Sequence, residues 1–232
     1  VAGATVTAFA AGQTGYGTGA TVLGSPTTSD ANGNWTMDFN CADPQAQVYI
    51  LATGGTPGGG TANLNLAMMA ALGDCSSAST DDHVVINEAT TVASVYGLAQ
   101  FLDASGQTVG TSAGNATGLR NAFAAISRLI DVSTGLAPAT EPPGIKFSPE
   151  RLYTLANLVA SCVNSTGGVS GDGSNCGNLF AAATPAGGTA PTTTLAAILD
   201  IARHPANNIS ALYDLSPADA VFSPALTSAP ND

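Results

Sequence analysis

The amino-acid sequence predicts an α+β protein in which a small N-terminal β-sandwich precedes an irregular α-helical domain, stapled by two disulfides. Residues 1–60 alternate apolar and polar side chains between clusters of turn residues, which is typical of short strands. Residues 61–215 instead place apolar side chains at helical spacing. The four cysteines of the 232-residue chain fall into two local pairs. Residues 216–232 contain three prolines and are predicted to form an extended tail.

The predicted strands are short and separated by turns. They lie at residues 2–9, 21–24, 36–39 and 48–51. Before the third strand, residues 28–36 are predicted to form a tight turn in which Asp30 and Asn32 bond their own backbone and Gly33 adopts a positive φ. Because few large hydrophobic residues are available, this sandwich must pack against something else. The glycine-rich stretch 54–60 marks its predicted end.

The second part of the chain carries several helix start signals. Asn87 is predicted to cap a helix that runs to Leu102. Ser148 and Pro149 provide a hydroxyl cap followed by proline at the first helical position. Further helices are predicted at residues 119–130, after Pro191 and at residues 208–215.

Charge is scarce and mostly negative. Charged residues make up 9% of the chain and hydrophobic residues 44%, which predicts an ordered fold with a neutral surface. The first lysine or arginine is Arg120, so residues 1–119 carry carboxylates without a strong cation. With a net charge of -11, the chain lacks the basic patch that nucleic acid or an anionic membrane surface requires. No apolar run reaches the roughly 18 residues of a membrane-spanning helix.

The cysteines are predicted to form two disulfides. The pairing that closes the shortest loops is Cys41 with Cys75 and Cys162 with Cys176. Zinc binding is the alternative, but the chain has no Cys-x-x-Cys pair, and His83 and His204 are not spaced as ligands. Disulfides imply an oxidising, extracytoplasmic compartment.

One motif is compatible with an enzyme. Residues 110–114 match the Gly-x-Ser-x-Gly pattern of serine hydrolases, and Asp200 and His204 follow Ser112 in the order found in α/β-hydrolases. This motif acts at the end of a strand in a large parallel sheet, and the chain has no series of βα units to build one. An interhelical loop is therefore favoured, with a secreted serine hydrolase as an alternative.

Other patterns match ligand sites incompletely. Residues 15–20 fit a loose dinucleotide fingerprint but precede a predicted strand, so a glycine-rich hairpin loop with Tyr16 at its tip is favoured. Residues 30–34 imitate the start of a calcium loop, but Cys41 stands where the bidentate glutamate belongs. A solvated loop is favoured over incidental metal binding for the polar cluster at residues 81–83. No catalytic residue, cofactor or metal ion is predicted.

Two charged residues have specific alternatives. Glu88 is expected to complement the helix dipole in a first turn, with a catalytic carboxylate as the alternative. Lys146 is the only lysine, and an isopeptide crosslink to an asparagine is the alternative to an ordinary surface position.

The N-terminal part resembles a known module. Residues 3–6, the turn at 28–36 and the strand at 48–49 are similar to the transthyretin-like or carboxypeptidase-regulatory-like β-sandwich of bacterial surface proteins. This resemblance implies an Ig-like or transthyretin-like sandwich, and modules of this kind usually begin one strand earlier than Val1. Because the chain begins without methionine, we expect that a signal peptide was removed or that residues precede Val1.

A second resemblance, to a group of secreted bacterial proteins of unassigned activity, covers the rest of the chain. It rests on residues 87–93, 155–157 and 162–164. It implies export and a two-part architecture, and it implies no catalytic residue.

These features predict a non-enzymatic extracellular structural protein, a self-assembling subunit of a filament or surface layer. A neutral surface of small side chains permits close approach between copies, and we expect a strand from a neighbouring copy to complete the sandwich by β-augmentation. The tail at residues 216–232 is one candidate donor. The alternative is an adhesin or glycan-binding protein with Tyr16, Trp35 or Tyr49 as contact residues. The expected partners are thus other copies or glycans, without nucleic acid or membrane insertion.

Overall fold

The computed structural model describes residues 1–77, 83–140, 148–216 and 220–230, which form an α+β fold with a four-stranded antiparallel sheet and six α-helices. The strands are β1 Thr5–Ala10, β2 Thr21–Thr28, β3 Gln47–Thr53 and β4 Ala67–Asp74. The helices are α1 Glu88–Leu98, α2 Ala116–Ile126, α3 Pro149–Val163, α4 Asn175–Ala183, α5 Thr194–Arg203 and α6 Ile209–Asp214. Most of the predicted polar cluster at 81–83, and Lys146, lie outside the described residues.

The strands are arranged in the order β2-β1-β3-β4, and every neighbouring pair is antiparallel. Strand β4 was not predicted, and it lies in the range that the sequence assigned to the helical domain. Its first five residues are all buried, so its sequence shows a continuous apolar run instead of an alternating pattern. The glycine-rich stretch 54–60 connects the neighbouring strands β3 and β4.

The helices pack on one face of the sheet. Tyr49 and Leu51 of β3 join the large core that they form. Helix α1 is central to this core, because it contacts β4 and the helices α2, α3 and α5. Eight of its 11 residues are buried, which explains why it is apolar around most of its circumference.

The opposite face of the sheet has a smaller core. Val6, Ile50 and other inward residues of the strands pack there against Trp35, Met37 and Phe39. These three side chains come from an extended segment that belongs to none of the four strands. Among the described residues no second sheet is formed, and this segment occupies the position that the second sheet of a sandwich would take.

Local signals predicted the starts of α1 and α3, but α1 ends at Leu98 and not at the predicted Leu102, and α2 spans Ala116–Ile126 and not 119–130. The Asn87 side chain accepts the backbone N–H of Thr90, whose hydroxyl in turn accepts the N–H of Asn87, so a reciprocal capping box begins α1. Helix α3 begins at Pro149 as predicted, but the predicted hydroxyl cap is not formed, because the Ser148 hydroxyl donates to the Glu150 carboxylate at 2.7 Å. Helix α4 was not predicted.

The structure contains both disulfides, Cys41–Cys75 and Cys162–Cys176. The first joins the extended segment to the residue that follows β4, and the second joins α3 to α4. Among the residues covered, a single ion pair is formed, with 3.8 Å between Arg120 Nε and Asp74 Oδ1 on the surface. Cohesion therefore comes from apolar burial, backbone hydrogen bonds and disulfides.

The C-terminal tail lies against α3 of its own chain. The side-chain amide of Asn157 donates to the carbonyl of Phe222 at 2.8 Å and accepts its N–H at 2.9 Å. The Thr154 hydroxyl accepts the N–H of Leu226 at 2.8 Å. None of the helices in the described ranges combines the length and apolar character of a membrane span.

Candidate functional site

The segment at residues 35–42, here called the lone strand, belongs to none of the four strands and lies over the sheet. Its odd-numbered side chains Trp35, Met37 and Phe39 are partly buried on the sheet, whereas Thr36, Asp38 and Asn40 are exposed. This period of two is that of a half-buried β-strand. The structure assigns no strand at 36–39, where the sequence predicted one, although the alternation of partly buried and exposed side chains is present.

A tight turn directly before the lone strand sets the direction in which it crosses the sheet. The carboxylate of Asp30 accepts the backbone N–H groups of Asn32 and Asn34, each at 2.8 Å. These bonds, led by that from Asn34, hold the pKa of Asp30 below its usual value. Gly33 has a φ of +84°, as the predicted turn required.

Two contacts fix the remainder of the lone strand. Cys41 is bonded to Cys75 just after β4, at the far edge of the sheet from β2. Midway, the carbonyl oxygen of Asp38 lies so close to Gly24 of β2 that a Cβ atom there would collide with it. Gly24 also has a φ of +66°, so the position favours glycine on two grounds.

The backbone of the lone strand is unpaired. No main-chain N–H or C=O group of residues 35–42 hydrogen-bonds to any backbone group in the described part of the chain. An extended chain with free donors and acceptors is a template for another strand, and natural proteins usually protect such groups. The lone strand contains no proline or glycine that would block pairing.

The edge strand β4 is protected in a different way. Its N–H groups at Ala67, Met69 and Ala71 donate to side-chain hydroxyls at 3.0, 3.1 and 3.0 Å. The hydroxyls belong to Thr194 of α5 and to Thr91 and Ser94 of α1. All three hydroxyl residues are fully buried. The helices therefore end the sheet at this edge.

The other edge strand, β2, is interrupted within its own sequence. Gly24 lacks a side chain to pack on a neighbour, and Pro26 lacks the N–H that a further strand would need. The pairing of β2 with β1 also changes register between Val6 and Ala8. Both edges of the sheet are thus poor templates, which leaves the lone strand as the best one.

The three aromatic residues predicted to contact glycans do not form one surface. Tyr49 is fully buried, stacks on Phe9 and donates its hydroxyl to the carbonyl of Gln107, so its prediction as a contact residue is wrong. Trp35 belongs to the core on the opposite face of the sheet. Tyr16 is 51% exposed and stacks on Phe101 with ring centroids 5.8 Å apart.

The predicted hydrolase residues do not form a hydrogen-bonded triad. His204 Nδ1 lies 3.0 Å from the main-chain oxygen of Asp200 in its own helix, not from its carboxylate. Among the residues described, no hydrogen bond links Ser112 to either of them.

Gly110 of the Gly-x-Ser-x-Gly motif and Gly12, just before the other glycine-rich motif, allow close packing between two loops. A Cβ atom on Gly110 would collide with the main-chain oxygen of Thr18, and one on Gly12 with the same atom. Backbone hydrogen bonds from Gly12 to Val109 and from Thr111 to Gly12 join the loops. The predicted hairpin loop therefore pairs with the predicted interhelical loop.

The polar residues considered as metal ligands do not form a cluster in the described ranges. These ranges contain no group of three or more His, Cys, Asp or Glu side chains that would hold a metal ion. The Asp30 carboxylate, the first candidate calcium ligand, accepts backbone N–H groups instead. Glu88, the candidate catalytic carboxylate, begins α1, and burial raises its pKa.

Sequence reasoning missed two features of this site. The only local signal for the hydroxyls from α1 that protect β4 was the spacing of Thr91 and Ser94, which lie three residues apart on a mostly apolar helix. The unpaired state of the lone strand had no local signal, because pairing depends on distant residues.

Comparison of the chain with models of known protein families, with curated proteins and with solved structures finds no match in any of the three. Function is therefore inferred from the geometry of the molecule.

Proposed function

We propose that this chain is a non-enzymatic structural subunit of an extracellular filament or surface layer, and that its copies associate by β-strand complementation at the lone strand. The observation that carries the proposal is the unpaired backbone of residues 35–42, which lie extended over an apolar sheet face. The two disulfides support an oxidising location outside the cytoplasm.

An added strand would supply the backbone hydrogen-bond partner that the lone strand lacks. A strand from a neighbour that pairs with the lone strand would turn a single covered sheet into two packed sheets, the arrangement of Ig-like and transthyretin-like sandwiches. Each new backbone hydrogen bond contributes about 0.5–1.5 kcal/mol, so a short strand can supply several kcal/mol.

The donor in this proposal is the lone strand of a second copy. The tail at 216–232 was the first candidate, but Asn157 and Thr154 hold residues 222 and 226 on α3. The lone strand already has the extended conformation that a donor needs, and it carries one charged residue, Asp38. Because neither edge of this segment has a backbone partner in the described chain, it can pair antiparallel with one copy along one edge and with a second copy along the other, which extends the assembly into a filament without exchange of any folded element.

A proline substitution provides a sharp test. Thr36 is exposed and its N–H has no backbone partner in the described chain, so Thr36→Pro removes a donor without breaking a bond of the subunit. Thr36→Ala is the matched control, because it shortens the same side chain and keeps the N–H. We expect the native chain and Thr36→Ala to associate with rising concentration in analytical ultracentrifugation and to form polymers visible by negative-stain microscopy.

We expect Thr36→Pro to remain monomeric with unchanged thermal unfolding. A native chain that stays monomeric at high concentration would overturn the proposal. Assembly of Thr36→Pro equal to that of Thr36→Ala would show that copies associate by another surface.

A further inference from the structure

A large apolar groove lies among the helices, on the other side of the sheet from the lone strand. Its volume is about 430 Å³. Its walls come from α1, α3, α5, α6 and the tail, and include Val92, Leu155, Ile201, Leu212 and Leu226. The volume lies within the range of about 300–1,000 Å³ in which proteins bind small molecules.

Most polar groups that line the groove already have partners within the chain. The Thr154 hydroxyl donates to the carbonyl of Glu150 and accepts the N–H of Leu226. The Tyr213 hydroxyl donates to the carbonyl of Leu226 at 3.0 Å. These groups help to hold the tail as one wall, and a ligand would have to compete with the chain itself for them.

Two polar groups of the lining have no hydrogen-bond or ion-pair partner among the described residues, the Tyr96 hydroxyl and the Arg151 guanidinium. Tyr96 is 37% exposed. Its hydroxyl is protonated at neutral pH and can donate a hydrogen bond, and burial raises the pKa of Tyr96 further, to about 12. Both groups donate hydrogen bonds, and a guanidinium accepts none, so they select for an acceptor with negative charge.

The position of Arg151 is significant in so acidic a chain, with five basic residues against 16 carboxylates. Two other arginines have structural roles. Arg120 pairs with Asp74, and Arg203 donates to the carbonyls of Ala99 and Leu102. A planar guanidinium beside an apolar groove matches a carboxylate attached to a hydrocarbon body.

We propose that the groove binds a long-chain monocarboxylate from solution, with its hydrocarbon chain along the helices and its carboxylate on Arg151 and Tyr96. The single cation matches a single negative charge. A diacyl lipid would bring a second chain and a larger head group. The proposal is independent of self-association, because the lone strand lies on the other face of the sheet.

Fluorescence titration of the full chain with dansyl-labelled undecanoic acid tests the proposal. We expect saturable binding, displacement by palmitic acid and much weaker displacement by methyl palmitate, which lacks the charge. Arg151→Gln should weaken binding of palmitic acid about tenfold or more, and Tyr96→Phe several-fold.

The control variant is Arg120→Gln, which removes an equal charge away from the groove and should leave affinity unchanged. In Arg151→Gln, palmitic acid and methyl palmitate should bind nearly equally. Absence of saturable binding would overturn the proposal, as would equal effects of Arg151→Gln and Arg120→Gln. Stronger binding to phosphatidylcholine vesicles than to palmitic acid would also overturn it.

Discussion

Both faces of the sheet are covered, but backbone hydrogen bonding differs between the side covered by helices and the side covered by the lone strand. On one face the helices bury the side chains and also supply Thr91, Ser94 and Thr194 to cap the N–H groups of β4. On the other face the lone strand buries its inner side chains and leaves its main chain unpaired. Side-chain burial and backbone pairing are therefore separable, because the helical side has both among the described residues and the other side has only side-chain burial.

One disulfide lies on each side of the sheet, so each side can be destabilised separately by removing its disulfide. The resulting loss of stability is the largest effect that we expect. Replacing Cys41 and Cys75 by serine should lower the free energy of unfolding by about 4 kcal/mol, and replacing Cys162 and Cys176 by about 3 kcal/mol, because the first bridge closes the longer loop. Denaturant unfolding measures both values.

The two double variants should differ in association. Release of Cys41 frees one end of the lone strand, so that variant should fail to assemble under conditions in which it is still folded. The Cys162 and Cys176 variant should still assemble when folded. Equal assembly of both would mean that the lone strand does not need to be held on the sheet.

The hydroxyl caps of β4 test the helical side. Thr91→Val, Ser94→Ala and Thr194→Val each leave a buried N–H without its partner, which should cost about 1–3 kcal/mol per variant in denaturant unfolding. Thr36→Val is the exposed control and should change stability by less than about 0.5 kcal/mol. If all three caps behaved like the control, the edge of β4 would not depend on them.

The hydroxyl caps of β4 could not be predicted from the sequence, because they join residues that are far apart in the chain. The turn at Asp30 and Gly33, the cap at Asn87 and the proline start at Pro149 were predictable, because each rests on chemistry within a few residues. Strand β4 was not, because burial of both faces removes the alternation that identifies a strand.

The candidate site was predictable only in part. Alternation at 36–39 correctly indicated one partly buried side, but the predicted strand is not formed, because the presence of a neighbouring strand depends on residues far away in sequence. Tyr49 was misjudged for the same reason. An aromatic residue in an alternating strand can face either water or the core. Tyr49 faces the core because helices cover that side of the sheet.

The smallest effect concerns pH and Glu88, which begins the central helix of the helical face. Burial raises the pKa of Glu88 above its ordinary value of 4.5, and its own backbone N–H and the N-terminal amine oppose this shift. The folded chain therefore holds this proton more tightly than the unfolded chain, so stability falls as pH rises from the ordinary pKa to the raised one.

Glu88→Gln removes that contribution. The free energy of unfolding of the variant minus that of the native chain should therefore increase as pH rises from 4 to 7 in denaturant titrations. A difference that stays constant or decreases with pH would contradict the assignment. For Asp30→Asn the same difference in unfolding free energy should change with pH in the opposite direction, because hydrogen bonds lower the pKa of Asp30 in the folded chain.

The central claim is that residues 35–42 pair with a strand of another copy. Amide hydrogen exchange followed by mass spectrometry, on dilute monomer and on concentrated assembled material, tests it most directly. We predict fast exchange of the amides at 36–40 in the monomer and strong protection on assembly, while the capped amides of β4 stay protected in both states. Assembled material in which residues 36–40 still exchange as fast as in the monomer would contradict the account.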